Sequence, residues 1–413
     1  MAYGDVTIDT FTVGSLDLAS GSGATMAFLN VYEDILNPLG PVADCRVVDP
    51  VDALGAGNIN GKEDVELTFS TPYSGQSSTF KFKMLQNSDL DDRSSSGNMS
   101  GHHKQYNFKF VSPELINAQG NYVKKSYNET TSSMVESIVK NNLKSEKQVE
   151  IKDSTRGQRR MVFHQEHPVE ALKKLNDEHV SAQNESSLYT LFATNDGSNQ
   201  KYVFSTFEEL FKQGPVVTLT QSATLGAGAS ESEKQDSIIW FKASDSFFTP
   251  SRPMDKSNEQ TYNLVTGKAY NVSPKPAPQF TYADSEGVYG NFQGSGDDRV
   301  PAMKVNDPAN NKNTKTYVAD AKTKRQAYFS HLTQNAAELE VAGNSSIKLG
   351  SVIELNIPGK TDSGNSLGEK QMNGKALVVA IRHKIKPFGE TPRYTMVLRV
   401  VKASYKEGGG GNG

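Results

Sequence analysis

Apolar residues that alternate with a period of two, over several consecutive runs near the C-terminus, constrain this chain more than any other feature. Ile347, Leu349, Ile353, Leu355 and Ile357 fall on odd positions, as do Leu377, Val379, Ile381 and Ile385. Tyr394, Met396, Leu398 and Val400 fall on even ones. Side chains on a strand point alternately to its two faces, so this pattern demands strands with one face buried. Gly350, Pro358-Gly359, Gly374 and Pro387-Phe388-Gly389 supply turns between them. Upstream, Lys322 to Leu332 reads as a helix. The region is expected to be a small barrel or curled sheet fed by a helix, with no room for a catalytic centre.

At 413 residues the chain exceeds one ordinary core, and roughly two to four domains are expected. A hydrophobic fraction of 36% and a mean hydropathy of -0.56 suit a soluble, loop-rich protein. No stretch approaches the roughly 18 apolar residues of a membrane span. Met1 to Thr10 lacks the basic and apolar regions of a secretory signal. Cys45 stands alone, which excludes a disulfide framework or a cysteine zinc cluster and points to a reducing cytoplasm. A net charge of -3 argues against a general nucleic-acid binder.

The fold class expected is α+β and β-rich. Residues 1–112 form a first β domain, with strands at Asp5 to Val13, Ala27 onward, Val65 to Phe69, Phe80 to Met84 and Tyr106 to Phe110. Asn87 to Lys104 reads as a long polar hairpin loop. Residues 113–213 form a small α+β module. Ser133 with Glu136 has the spacing of a capping box, opening a helix through Met134, Val135, Ile138, Val139 and Leu143. Pro168 suits a first helical position, followed by Val169, Leu172 and Leu175. Leu188 to Phe192 and Tyr202 to Phe204 read as strands around Asn195-Asp196-Gly197. Residues 214–245, around Leu219 and Trp240, join 318–404 as a second β domain. Residues 246–317 form an irregular insertion and 405–413 a flexible tail. Two β domains flanking one module leave a hidden duplication open.

Catalytic chemistry has few candidates. His102 and His103 lie in a Ser/Gly-rich loop without fixed acidic ligands. His164-Gln165-Glu166-His167 spaces its histidines at i and i+3, not the i and i+4 of a zincin helix, so a cap or surface role is expected. His179, His331 and His383 continue apolar faces and read as core or interface histidines. Gly21-Ser22-Gly23 and Gly226-Ala227-Gly228 lack the residues of a phosphate loop. Asp89, Asp91 and Asp92, and Asp297-Asp298, have no apolar neighbours to raise a pKa, and no spaced calcium-loop motif surrounds them. Arg156, Arg159 and Arg160 read as a solvated basic face, and Cys45 as a small buried residue. No catalytic, cofactor-binding or metal residue is assigned, and no cofactor is expected.

From Gln326 to Tyr405 the order of parts is distinctive. A helix ends near Asn335, followed by Glu338-Leu339-Glu340-Val341-Ala342-Gly343, then Ile347 to Leu355, then Gly374 to His383, then Tyr394 to Val401. This series resembles the second tube domain of the central baseplate hub proteins of contractile-tailed bacteriophages, a family that includes phage late-control proteins and the hub portion of type VI secretion spike proteins. The helix near Met134 to Leu143, the section Pro168 to Phe204 and the strands with Trp240 match more weakly. The resemblance implies two tube-like β-barrel domains per chain. It implies a homotrimeric, pseudo-sixfold ring between a sixfold tail tube and a threefold central spike. Two like barrels per chain would resolve that symmetry mismatch. The implied partners are a tail tube or tube-initiator protein, a separate spike protein, and tape-measure and wedge proteins, with no membrane and no specific nucleic acid. The implied location is the virion tail baseplate, after synthesis in the host cytoplasm. Two other readings compete. One is a tail-associated cell-wall hydrolase. The other is a glycan- or receptor-binding protein using Tyr262, Tyr270, Phe280, Tyr282, Tyr289 and Phe292.

Overall fold

The computed structural model describes residues 3–20, 23–51, 53–57, 59, 61–93, 103–177, 179–183, 186–196, 199–221, 230–243, 259–263, 268–272, 287–288, 303–306, 325, 329, 332, 336–357, 373–386, 393–402 and 405–406. The architecture is β-rich with few helices, and antiparallel pairing dominates.

The N-terminal strands are β1 (Thr7–Val13), β2 (Leu16–Asp17), β3 (Thr25–Asp34), β4 (Val42–Asp49), β5 (Asp64–Ser70), β6 (Ser77–Arg93) and β7 (His103–Val111), with a short helix α1 (Ala53–Ala56). Alternation builds them: Val65, Leu67 and Phe69 of β5 are buried while Asp64 and Glu66 are exposed. The sheet runs through β6 as far as Arg93 and resumes at His103, so paired strand extends into the stretch expected to be a polar loop.

Next come α2 (Pro113–Gly120), β8 (Val123–Glu129), α3 (Thr131–Asn141), β9 (Gln148–Ile151), β10 (Arg159–Glu166), α4 (Pro168–Asp177), β11 (Tyr189–Asp196), β12 (Asn199–Thr206) and α5 (Phe207–Phe211). Here β8 pairs with β10, while β11, β12 and β9 form a three-stranded sheet. The cap of α3 is Thr130, whose side chain accepts from Ser133 N; Ser133 itself lies inside the first turn. The expected capping box was therefore three residues out of register. Its apolar stripe Met134, Val135, Ile138 and Val139 is fully buried. Helix α4 starts at Pro168 as expected, and Nδ1 of His167 accepts from Val169 N at 3.3 Å. These helices enclose a second core with Leu172, Leu175, Tyr189 and Phe204.

The chain then returns to the large sheet through β13 (Thr218–Thr220), α6 (Glu231–Gln235) and β14 (Ile238–Ala243). Within the stretch expected to be irregular, β15 (Glu259–Asn263), β16 (Lys268–Val272) and β18 (Met303–Asn306) form a small sheet. The two-residue β17 (Gly287–Val288) pairs with β23 (Tyr405–Lys406). The last strands of the large sheet are β19 (Ala336–Ala342), β20 (Val352–Asn356), β21 (Gly374–Ile385) and β22 (Tyr394–Val401). Of the expected helix before them, Arg325, Phe329 and Leu332 are helical; the rest, His331 included, lies outside the described residues.

Two details depart from simple alternation. Ile347 and Leu349 are buried in turns ahead of β20, not in a strand. In β21 the register shifts between Val378 and Ala380, and this bulge leaves Val379 half-buried at the margin of the core. Past it, Ile381, His383 and Ile385 are buried and Arg382 is exposed.

The strand order of the large sheet is β14-β19-β22-β21-β3-β4-β7-β6-β5-β1-β2, with β20 joining β21 and β13 joining β20. Two six-stranded units lie side by side in it. The first reads β1-β5-β6-β7-β4-β3 and the second β13-β20-β21-β22-β19-β14. Counted in chain order within each unit, both have the arrangement first-fourth-fifth-sixth-third-second. One continuous core underlies both.

Candidate assembly surfaces

The two units meet where β3 pairs antiparallel with β21, from Ala380 opposite Asp34 to Ile385 opposite Leu29. The buried face of this seam holds Leu29, Val31, Glu33, Ile381, His383 and Ile385. Glu33 and His383 are polar groups in an apolar wall, so both need partners. His383 satisfies both ring nitrogens: Nδ1 lies 2.7 Å from the Tyr394 hydroxyl and Nε2 lies 2.9 Å from Glu33 Oε2. The rings of Phe69 and Phe80 stand edge-on to the imidazole at 5.8 Å. Burial, aided by the Glu33 charge, pushes the Tyr394 phenol well above its ordinary value, so it stays a neutral hydroxyl. His383 is thus the satisfied core histidine that its strand parity foretold. What the parity did not foretell is its partner, 350 residues earlier in the chain.

The opposite face is polar. Arg382 lies 5.3 Å over the Tyr32 ring and donates to Asn30 at 3.4 Å. Asn30 donates to Asp44, and Lys384 pairs with Glu340 at 2.7 Å. Further clasps join the units away from the seam. Ser345 N donates to the Thr71 hydroxyl at 3.2 Å, Tyr394 N donates to Gly4 O at 3.0 Å, and Gly4 N donates to Gln235 Oε1 at 2.9 Å.

The module carries a buried polar network. Asp153 accepts from Ser181 Oγ at 2.8 Å and Thr206 Oγ1 at 2.7 Å. Arg325, from the helical stretch after the insertion, reaches the module. Its Nη1 donates to the carbonyls of Tyr189 (2.7 Å) and Ser187 (3.3 Å), and its Nε lies 2.7 Å from Asp177 Oδ1. Burial pushes the Glu208 carboxyl up to about 7. His179 lies beyond the end of α4, not along its face, with Nδ1 2.9 Å from Thr131 Oγ1. Burial and the nearby Arg159 and Arg325 hold its imidazole well below the usual range, hence neutral. A second brace joins Lys147 to Glu114 at 2.7 Å, with Ser112 and Ser145 also donating to that carboxylate. Burial raises the Glu114 pKa, but these donors more than offset it. These hydrogen bonds tie helices and loops of the module to its strands.

The remaining candidates scatter. His164 is exposed on β10 and Cys45 is buried in β4, its thiol pushed up by burial. Arg159 is buried in β10, contrary to the expected solvated face, because its strand position points inward; Arg156 and Arg160 are exposed. His103 opens β7; Asp91 and Asp92 of β6 stand opposite Gln105 and Lys104, and Asp89 falls in the register shift between Ser88 and Asp91. Tyr262 and Tyr270 fall on β15 and β16. His102, Asp297, Asp298, Phe280, Tyr282, Tyr289 and Phe292 lie outside the described residues, as do Gly226 to Gly228. Among the described residues no group of three or more His, Cys, Asp or Glu is placed to hold a metal, and no helix is long and apolar enough to cross a membrane.

The large sheet also has edges. Among the described residues strand β14 is terminal, and Ile239 and Trp240 on it are 44% and 45% exposed. An edge strand with exposed apolar side chains is a template for further pairing unless something covers it.

Comparison with solved structures gives the fold a place. A 43 kDa tail protein of prophage MuSo2 from Shewanella oneidensis matches over 97% of this chain and 99% of its own, at TM-score 0.56 and 12% identity. A tail protein from Neisseria meningitidis MC58 matches over 96% of both chains, at TM-score 0.57 and 11% identity. The chain has the fold of phage tail proteins. A type VI secretion component of E. coli, described as structurally similar to the phage T4 tail proteins gp27 and gp5, matches over 98% of this chain and 79% of its own, at TM-score 0.50 and 10% identity. No protein-family model and no curated protein matches the sequence. The phage-tail resemblance read from Gln326 to Tyr405 therefore extends, as fold, over nearly the whole chain.

Proposed function

We propose that this protein is the structural hub of a contractile tail baseplate, a homotrimer whose pseudo-sixfold ring joins the hexameric tail tube to the trimeric central spike. In this reading each six-stranded unit is one tube-like domain, and the protein works in the virion tail without catalysing a reaction. One observation carries the reading: two units of identical strand order stand side by side in one sheet. A ring of three such chains offers six near-equivalent positions to a sixfold tube and three identical ones to a spike. Tube, spike, tape-measure and wedge proteins are its proposed neighbours. Mass photometry of the purified chain tests the stoichiometry. Particles of three times 45.0 kDa are expected, alone or upon addition of the spike protein. A monomer under both conditions rejects the hub. Clearing of a peptidoglycan zymogram would favour the hydrolase instead.

A further inference from the structure

The helical stretch around Arg325 joins the module to the large sheet. Arg325, Phe329 and Leu332 are spaced i, i+4 and i+7 on helical backbone, so they share one face. Leu332 is buried in the core of the large sheet, and Phe329 packs against that core. One turn before Phe329, Arg325 grips the carbonyls of Ser187 and Tyr189 at the start of β11.

Helix α5 spans the same junction. Phe207, Leu210 and Phe211 belong to the core of the large sheet, while its cap Thr206 reaches Asp153 of the module network at 2.7 Å. Glu208 lies on this helix and is buried. It holds the same few residues that Arg325 holds: Phe207 N donates to Leu188 O at 3.1 Å, and the Ser186 hydroxyl faces the Glu208 carboxyl. Exposure increases outward through the cluster. Glu208 is enclosed, the Arg325 side chain is 16% exposed, and that of its partner Asp177 is 54% exposed. Arg325, which feels the Glu208 charge, thus stands between that carboxyl and the solvent.

The charges around Glu208 come from several elements. Asp153, after β9, opposes its ionisation, and Lys212, at the end of α5, favours it. Arg325 favours it from the helical stretch and is itself paired with Asp177 of α4. The Tyr189 phenol of β11 is pushed up by burial and stays neutral, as does the His179 imidazole, which burial and the charges of Arg159 and Arg325 push down.

We infer that Arg325 is a pH-gated latch between the module and the large sheet, closed over Glu208 in acid and released as the pH rises through neutrality. Enclosed, the Glu208 carboxyl ionises only near 7; hydrated, it would do so near its ordinary 4.5. The closed latch therefore holds the proton more tightly than the open one, and opening is favoured as pH rises between those values. The pull of Arg325 on an ionised Glu208 opposes release, but it is already contained in the value near 7, so burial sets the sign. From pH 6 to pH 8 the open fraction should rise about tenfold.

Trypsin reads the latch, because it cleaves after an arginine only when the side chain is free to enter its pocket. The full chain is digested briefly at pH 6 and at pH 8, and mass spectrometry follows the fragment that begins at Gln326. Rates are divided by those for a synthetic peptide of residues 321–330, which removes the pH dependence of the protease. On this scale wild type should be cut about tenfold faster at pH 8. Glu208→Gln should be cut at the slow, acid rate at both pH values. Asp177→Asn should be cut faster at both, with the ratio between them kept. A wild-type ratio below about twofold overturns the latch without any variant. A tenfold ratio that survives in Glu208→Gln, or in Glu208→Met should the first variant not fold, overturns the role of Glu208.

Discussion

Gly343 follows β19 and lies against the ring of Tyr394, and the space there admits no side chain. A Cβ at this position would lie 1.9 Å from Cδ1 of Tyr394, where ordinary contact begins near 3.4 Å, so ring or backbone must move by about 1.5 Å in a close-packed interior. Tyr394 has little freedom to comply. It is fully buried, its hydroxyl is 2.7 Å from His383 Nδ1, its carbonyl accepts from Gly343 N at 2.8 Å and its amide donates to Gly4 O at 3.0 Å. Overpacking alone costs about 1–3 kcal/mol. If the ring swings away, the hydroxyl and imidazole lose each other in the core, for about 1–3 kcal/mol more. Gly343→Ala should therefore destabilise by about 2–6 kcal/mol, a large part of the ~5–15 kcal/mol that holds a typical protein folded. Urea unfolding followed by circular dichroism measures the loss. Gly214→Ala, with nothing within 4 Å, is the control and should stay within about 0.5 kcal/mol of wild type. Adding Tyr394→Leu should recover part of the loss, with a coupling of about 1–3 kcal/mol. A Gly343→Ala protein within about 1 kcal/mol of wild type would refute the steric argument.

Glu208 makes stability fall as pH rises. Its folded pKa near 7 exceeds the ordinary 4.5, so between these values the folded state holds more proton than the unfolded. The penalty is absent below about pH 4.5 and complete above about pH 7, at about 3 kcal/mol. Glu208→Gln should accordingly stabilise at pH 8 and be nearly neutral at pH 5; equal effects at both would contradict this. Arg325→Met leaves the carbonyls of Ser187 and Tyr189 without their guanidinium donor, at about 2–4 kcal/mol, and hydrogen exchange should quicken first around β11. Thr130→Ala should cost about 1 kcal/mol through loss of the α3 cap, and Ser133→Ala distinctly less. The reverse ranking by thermal melts would restore Ser133 as the cap.

Much of the secondary structure was legible because it is written locally. Alternation identified β22 and most of β21, and Pro168 marked the start of α4. The parity of His383 placed it in the core. Errors arose where a rule had two solutions a few residues apart. Thr130 and Ser133 both suit a cap, and the helix begins where its apolar stripe meets β8 and α4. The bulge at Val379 escaped notice because a bulge is a pairing event and leaves no mark on single-strand periodicity.

The sequence alone determined the β-rich class and most of the strand faces, because side-chain period and turn chemistry act between near neighbours. Only the tertiary structure decided that two strand groups become one sheet, that Glu33 answers His383, and that β14 ends the sheet with Trp240 half exposed. Strand partners are chosen by hydrogen-bonding edges brought together across hundreds of residues. Every backbone edge carries the same donors and acceptors, so the choice is made by burial on the finished sheet and not by any local pattern.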